Sequence, residues 1–266
     1  MYPSKFEPEG ALRGEPDLHW LAERVAMPAL LATPSRPLAE MGEPASRLSE
    51  TARQKFAGLI GLSHVKQDLS ERARHAATST ADRLRLRAGD LSHVPDAVLY
   101  PRNPEEVLAL LKLCGEAGVA VTPFGTGSGS GRLPQRGPHM ALVTFDLSAL
   151  SHLVSVDALS GLARAEAGIT AEDLSRQLAA QGASLKGMMQ GSLGGHIARN
   201  SQVSWLQAAR LATPEGVVAS GRWLAPGSEG AFGIITSASL HIRTLPAKTE
   251  YRRYLFNDFA GGLTAL

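Results

Sequence analysis

The stretch PDAVLYPRNPEEVLALLKLCGEAGVAVTPFGTGSGSG, residues 95–131, decides the fold. Ala97 to Tyr100 is a short apolar run stopped by Pro101, which suits a buried strand. Asn103 then stands where a helix cap belongs, Pro104 at the first helical position, and Glu105 and Glu106 at the positive end of the helix dipole. Val107, Leu108, Leu110, Leu111 and Cys114 recur at helical spacing, and Gly118 stops the helix. Val119 to Thr122 reads as the next strand. Strand, helix and strand at this spacing predict a parallel βαβ unit.

That unit opens into Pro123, Phe124, Gly125, Thr126, Gly127, Ser128, Gly129, Ser130 and Gly131. Glycines permit positive φ, and without side chains their N–H groups can converge on an anion; the Thr and Ser hydroxyls add donors. This chemistry suits a diphosphate. The loop lacks the Gly-Lys-Ser/Thr of a P-loop and the spacing of the dinucleotide fingerprint, and Pro134 and Pro138 oppose a following helix. A plain Gly/Ser linker is the alternative reading.

Downstream, Ala141 to Asp146, Leu153 to Asp157 and Leu162 to Ala167 read as strands, the last alternating Arg164 and Glu166 against Ala163 and Ala165. Thr170 and Asp173 open a second helix in a capping-box arrangement, with Ile169 and Leu174 at the spacing of a hydrophobic staple and Gly182 at its end. Upstream, Ser49 caps a helix to Ile60 that Gly61 closes, and the basic stretch 72–87 reads as a solvated helix face. Residues 1–47, rich in Pro, Glu and Ala, read as an extended arm. The pattern is α+β.

The composition of the 266 residues narrows the function classes. Charged residues make up 20% with a net charge of +2, too weak a bias for a nucleic-acid partner. Apolar residues make up 44%, but no run is long enough to span a bilayer, and the start MYPSKFEPEG lacks the form of a signal peptide. A cytoplasmic protein is expected. Cys114, the one cysteine, reads as a buried inert thiol. The histidines show no metal spacing, so no metal is expected, and His196 reads as structural. Trp205 and Trp223 read as core residues.

The opening stretch resembles the FAD-binding domain of the vanillyl-alcohol oxidase and p-cresol methylhydroxylase flavoprotein superfamily. Three further segments follow in the family's order: FDLSALSHLVSVDALSGLARAEAGITAEDLSRQLAAQG from Phe145, GSLGGHIARNS from Gly191 and PGSEGAFGIITSASLHIRTLP from Pro226. LRLRAGDLSHVPDAVLYPR, residues 84–102, is similar to bacterial relatives of alkyldihydroxyacetonephosphate synthase, as is the tail EYRRYLFNDFAGGLTAL. The sequence departs from the family at Thr126 and Gly129, where a glycine and a serine are usual, and in shorter segments at 183–191 and 199–227.

The resemblance implies an FAD-binding domain of two α/β subdomains, a small parallel βαβ unit and a larger mixed or antiparallel sheet flanked by helices. It implies a division into an N-terminal arm and helical extension at 1–90, the FAD-binding domain at 91–246 and the start of a substrate domain at 247–266. Residues 123–131 would hold the diphosphate. Gly191, Ser192, Leu193, Gly194, Gly195, Arg199 and Ser201, with Glu229, Gly230, Ala231, Phe232, Gly233, Ile234 and Ile235, would complete the cofactor site. The FAD would be non-covalent, because 125–131 hold only Gly, Thr and Ser. The implied function is an FAD-dependent oxidoreductase, 2-hydroxy-acid dehydrogenase-like or alkyldihydroxyacetonephosphate synthase-like, with a small-molecule substrate and room for a homodimer. No catalytic residue can be named, because the family's substrate domain supplies most of them. The alternative is a non-catalytic remnant or a nucleotide-binding interaction module.

Overall fold

The computed structural model describes residues 36–76, 79–127, 140–187, 189–248, 250, 254–256 and 258–264. Ser128, Gly129, Ser130 and Gly131 therefore lie outside the described residues, as does the arm up to residue 35. Two sheets organise the rest. The smaller runs β1 (Val65–Lys66), β2 (Ala97–Leu99), β4 (Leu142–Asp146), β3 (Ala120–Phe124). β2, β4 and β3 are parallel, and β1 is antiparallel to β2. The larger runs β5 (Leu153–Asp157), β6 (Leu162–Glu166), β10 (Ile234–Thr244), β8 (Leu206–Thr213), β9 (Gly216–Ser220), with β7 (Ala183–Leu185) also on β10. Its pairings are antiparallel. This is the two-subdomain α+β arrangement that the resemblance implies.

Local chemistry explains the helices. In α1 (Glu50–Ile60), Ser49 accepts from Ala52 N, and Gly61 ends the helix. α2 (Leu69–Arg74) and α3 (Thr80–Arg87) follow, capped by Asp68 and Ser79. In α4 (Pro104–Ala117), Asn103 accepts from Glu106 N at 2.8 Å, and Gly118 takes the left-handed conformation that releases the chain into β3. In α5 (Ala171–Ala180), Thr170 accepts from Asp173 N, while Ile169 and Leu174 are both buried. α6 (Leu193–Arg199) and α7 (Phe259–Thr264) complete the set.

One core lies between the small sheet and helices α1 and α4, with Phe56, Leu99, Leu110 and Phe145 among its buried members. The other lies between the large sheet and α5 and α6. Ala212 of β8 and Ile234 of β10 belong to the first core, so the two layers meet at α4. The segment before Asp90 is integral to the small sheet, because α1 packs on α4 and β1 extends the strand order.

Two expectations are corrected. The basic stretch 72–87 is not a uniformly solvated face: Arg72 is buried, its Nε donating to Pro95 O at 2.6 Å and its guanidinium reaching Glu43, and His75 is buried too. A buried guanidinium persists only where acceptors replace its water, and here they come from distant parts of the chain. Trp205 is a core residue, but Trp223 is 90% exposed. Its turn, 221–224, leaves the edge strand β9 for the surface.

Candidate functional site

The site forms where three chain segments converge beyond the end of β3. The first is Pro123 to Gly127, which leaves the edge of the parallel sheet. The second is Gly191 to Ser201, built around α6. Ser192 caps α6, bridges to Thr170, and faces Gly125 so closely that a Cβ there would collide with its Oγ. The third is the turn 226–233. Gly227 N donates to Ile197 O at 3.1 Å and Glu229 N to Ala198 O at 2.9 Å, which ties this turn to α6. A Cβ on Gly230 would meet Pro123 Cγ at 3.4 Å, which ties it to the first segment as well. Segments far apart in sequence thus share one surface.

Gly127 has φ +66°, and a side chain on it would strike the Phe124 ring, with a Cβ only 2.9 Å from Cζ. The backbone can fold this tightly only because glycine stands there. Thr126 is exposed. Arg199 is half-buried and donates from Nε to Gly195 O at 2.9 Å, bringing a cation to the same seam. Glu229 holds φ +48°, a conformation that non-glycine residues adopt at a cost of about 1–3 kcal/mol, and such strain concentrates at functional turns.

Other candidates are differently placed. Leu193 and Gly194 are buried: Leu193 lies in the core, and Gly194 sits against Ala167, its N donating to Ala167 O at 2.7 Å. Ile234 and Ile235 are buried in β10. These four can present only backbone to a ligand. Ala231 and Phe232 are exposed. His196 stacks on Trp205, centroids 5.4 Å apart, and its Nδ1 accepts from Gln190 N at 3.2 Å. Burial, then the nearby Arg199 charge, lowers its pKa. Cys114 is buried in the first core, and burial raises its thiol pKa to about 12.

Sequence reasoning passed over two features. Ser228, in the third segment, is buried, and its Oγ has no hydrogen-bond partner among the described residues. The other is a polar cluster behind the first segment. His75 Nε2 lies 2.9 Å from Asp146 Oδ2, and its Nδ1 lies 2.8 Å from Glu71 O. Tyr100 donates to the Glu71 carboxylate and accepts from Arg74 at 2.9 Å. Burial alone would raise the Asp146 pKa, but hydrogen bonds from His75 and Ser148 outweigh it and hold the carboxyl below its usual range. Burial and the Glu71 contact push the Tyr100 phenol upward. No local motif announces a pair 71 residues apart.

The fit to a flavin nucleotide can be tested on these residues. Gly125 and Gly127 form a cradle that side chains would fill, and Ser228 Oγ is a buried hydroxyl in want of a partner. The Thr126 hydroxyl and the Arg199 guanidinium are suited to phosphate oxygens. The residues fit. A separate cavity of about 250 Å³, lined by Ala171, Leu174, Ser175, Leu185, Gly187 and Met189, lies below the ~300–1,000 Å³ usual for ligand pockets. Among the described residues no helix is long and apolar enough to cross a membrane.

Residues 95–218 match a family model described as an FAD binding domain. The alkyldihydroxyacetonephosphate synthase of Trypanosoma brucei brucei is 28% identical over 240 residues, covering 78% of this chain and 38% of the relative. That of Dictyostelium discoideum is 29% identical over 231 residues, covering 76% and 38%. A probable mitochondrial D-lactate dehydrogenase of Danio rerio is 27% identical over 229 residues, covering 74% and 43%. The chain spans well under half the length of these curated relatives. A solved structure of alkyldihydroxyacetonephosphate synthase superposes with a TM-score of 0.74 at 24% identity, over 81% of this chain and 44% of that one, a likeness of fold.

Proposed function

We propose that the chain, whose residues 95–218 match an FAD binding domain, holds FAD non-covalently along the seam between its two sheets as the flavin-binding part of an FAD-dependent oxidoreductase of the vanillyl-alcohol oxidase and p-cresol methylhydroxylase type. The observation that carries this reading is the convergence of 123–127, 191–201 and 226–233 on one surface. The diphosphate would lie on the backbone of 125–131, with Ser192 and Arg199 beside it. The turn around Ser228 and Glu229 would lie alongside the cofactor.

Bound there, the flavin supplies the redox chemistry, and the protein binds and orients it. The names of the relatives, alkyldihydroxyacetonephosphate synthase and probable D-lactate dehydrogenase, support a small-molecule substrate, a 2-hydroxy acid or an alkyl-dihydroxyacetone phosphate. In the proposed division the cofactor unit takes residues 91–246 together with the extension that completes its small sheet, and 247–266 begin a substrate domain. A cytoplasmic setting and a small-molecule partner go with this reading.

The second reading, a nucleotide-binding module without catalysis, is favoured by the shortened segments at 183–191 and 199–227 and by the exposed Trp223 within the latter. Two measurements decide. Purified protein is expected to be yellow, and acid precipitation should release the colour into the supernatant; a pellet that stays yellow refutes non-covalent binding. Gly127→Val should weaken FAD binding by about 10- to 100-fold, the worth of one charge-assisted hydrogen bond at 1.5–3 kcal/mol. Unchanged affinity in that variant rejects the site. A bound flavin that an electron donor cannot bleach favours the second reading.

A further inference from the structure

The mouth of the small sheet holds a buried group that binding alone does not explain. His75, fully buried, comes from the segment between α2 and α3, outside the residues that match the FAD-binding family. Its two ring nitrogens face Glu71 O at 2.8 Å and Asp146 Oδ2 at 2.9 Å, two acceptors that fix the plane of the imidazole. That ring lies against Phe124, centroids 4.3 Å apart and planes tilted by 54°. Phe124 is the last residue of β3 and pairs with Asp146, the last residue of β4. Leu147 N donates to Phe124 O at 2.9 Å, closing the two strand ends together. Gly127 folds back on the same ring, so close that a Cβ there would stand 2.9 Å from Phe124 Cζ. An unbroken run of contacts therefore leads from Asp146 to His75, to Phe124 and to the turn at Gly127.

We propose that His75 is a positioning residue for the cofactor loop: it holds the Phe124 ring as the surface on which Gly127 turns, so that FAD affinity depends on a side chain from the N-terminal extension. The inference rests on the reading that FAD binds at 123–127. Packed interiors transmit a displaced ring, since few voids exist to absorb it. A loop preorganised in its bound shape spares the ordering cost on association. Asp146 and Glu71 act through His75, and none of the three need touch the cofactor.

The test uses the full 266-residue chain and reads FAD affinity by flavin fluorescence, alongside the melting temperature of the apoprotein. His75→Gln keeps an amide donor within reach of Asp146 and removes the ring beneath Phe124. Phe124→Leu keeps an apolar side chain and removes the aromatic face. Each is expected to weaken FAD at least fivefold while the apoprotein still melts in one cooperative transition. The double variant should bind no more weakly than the weaker single one, because both changes interrupt one path. Should His75→Gln fail to fold, Phe124→Leu alone carries the fivefold criterion.

A loss below fivefold, or losses that multiply in the double variant, overturns the proposal. So does a lowered melting temperature with unchanged affinity, the mark of a purely structural residue. Gly127→Val separates the two levels: lost FAD there with retained FAD in His75→Gln refutes the positioning role and leaves the site standing, whereas retained FAD in both refutes the site itself.

Discussion

The two sheets bury themselves in opposite ways. β4 of the small sheet is buried along its whole length, covered on both faces, and reads as a continuous apolar run except for Thr144 and Asp146. β6 of the large sheet alternates, with Ala163 and Ala165 in the core and Arg164 exposed, and β9 is mostly exposed. A parallel strand covered on both faces has no side-chain row left for a ligand, so it can act only at its ends. The glycine loop and the His75–Asp146 pair both stand at one such end. The antiparallel sheet keeps one face wet and contributes to the site through the turn before β10 and through α6 on its covered face. One sheet offers strand ends, the other the helix and turn that close over them.

The sharpest way to break this comparison is to remove volume from each sheet. Phe145→Ala, in the doubly covered strand, should cost about 3–5 kcal/mol in urea unfolding. Val218→Ala, on the exposed β9, should stay within about 0.5 kcal/mol. Equal costs would mean that the small sheet is not the tighter layer.

A smaller effect sharpens the account of the large sheet's turn. Ser228→Ala removes a buried hydroxyl that has no partner among the described residues, so the apoprotein should hold or gain stability, by up to about 1 kcal/mol. FAD affinity should fall by about 3- to 10-fold if that hydroxyl donates to the cofactor, roughly 0.5–1.5 kcal/mol. Stability and affinity moving down together would remove Ser228 from the site.

The smallest effect is a pH dependence. The folded-state pKa of His196 is lowered from 6.5, so the unfolded chain takes up its proton first as pH falls. Its contribution is present above pH 6.5 and is lost as pH drops through the lower folded value. His196→Asn should flatten the acid side of the apoprotein stability curve just below pH 6.5, and an unchanged slope there would contradict the burial on Trp205.

Local signals were legible wherever one or two residues settle a conformation. Asn103, Pro104 and Gly118 delimit α4 as read, and Thr170 with Asp173 opens α5. The glycine-rich composition of 125–131 was equally plain, although only Gly125, Thr126 and Gly127 of it lie among the described residues. What the sequence withheld was long-range. α6 runs through Gly194 and Gly195, which oppose helix formation; Gly194 is needed because Ala167 leaves no room for a side chain. Arg72 looked like a solvent charge because its acceptors, Pro95 O and Glu43, lie far along the chain. Trp223 looked like core on hydrophobicity alone, yet its turn stands outside both cores. The meeting of Gly125 with Ser192 and of Gly230 with Pro123 is a property of the assembled sheets, not of any segment.

The place of β10 sets the order of events during synthesis. Among the described residues it is the last strand, yet it lies inside the large sheet, paired to β6, β8 and β7. Until residues 234–244 leave the ribosome, β6 and β8 have no partner between them and present open edges to other chains. In the proposed site the turn at 226–233 is the last described segment to arrive, so FAD bound there would not serve as an early template for folding. The nascent large sheet must wait with its edges exposed, and ribosome-bound fragments ending before residue 234 are the species on which chaperones should act.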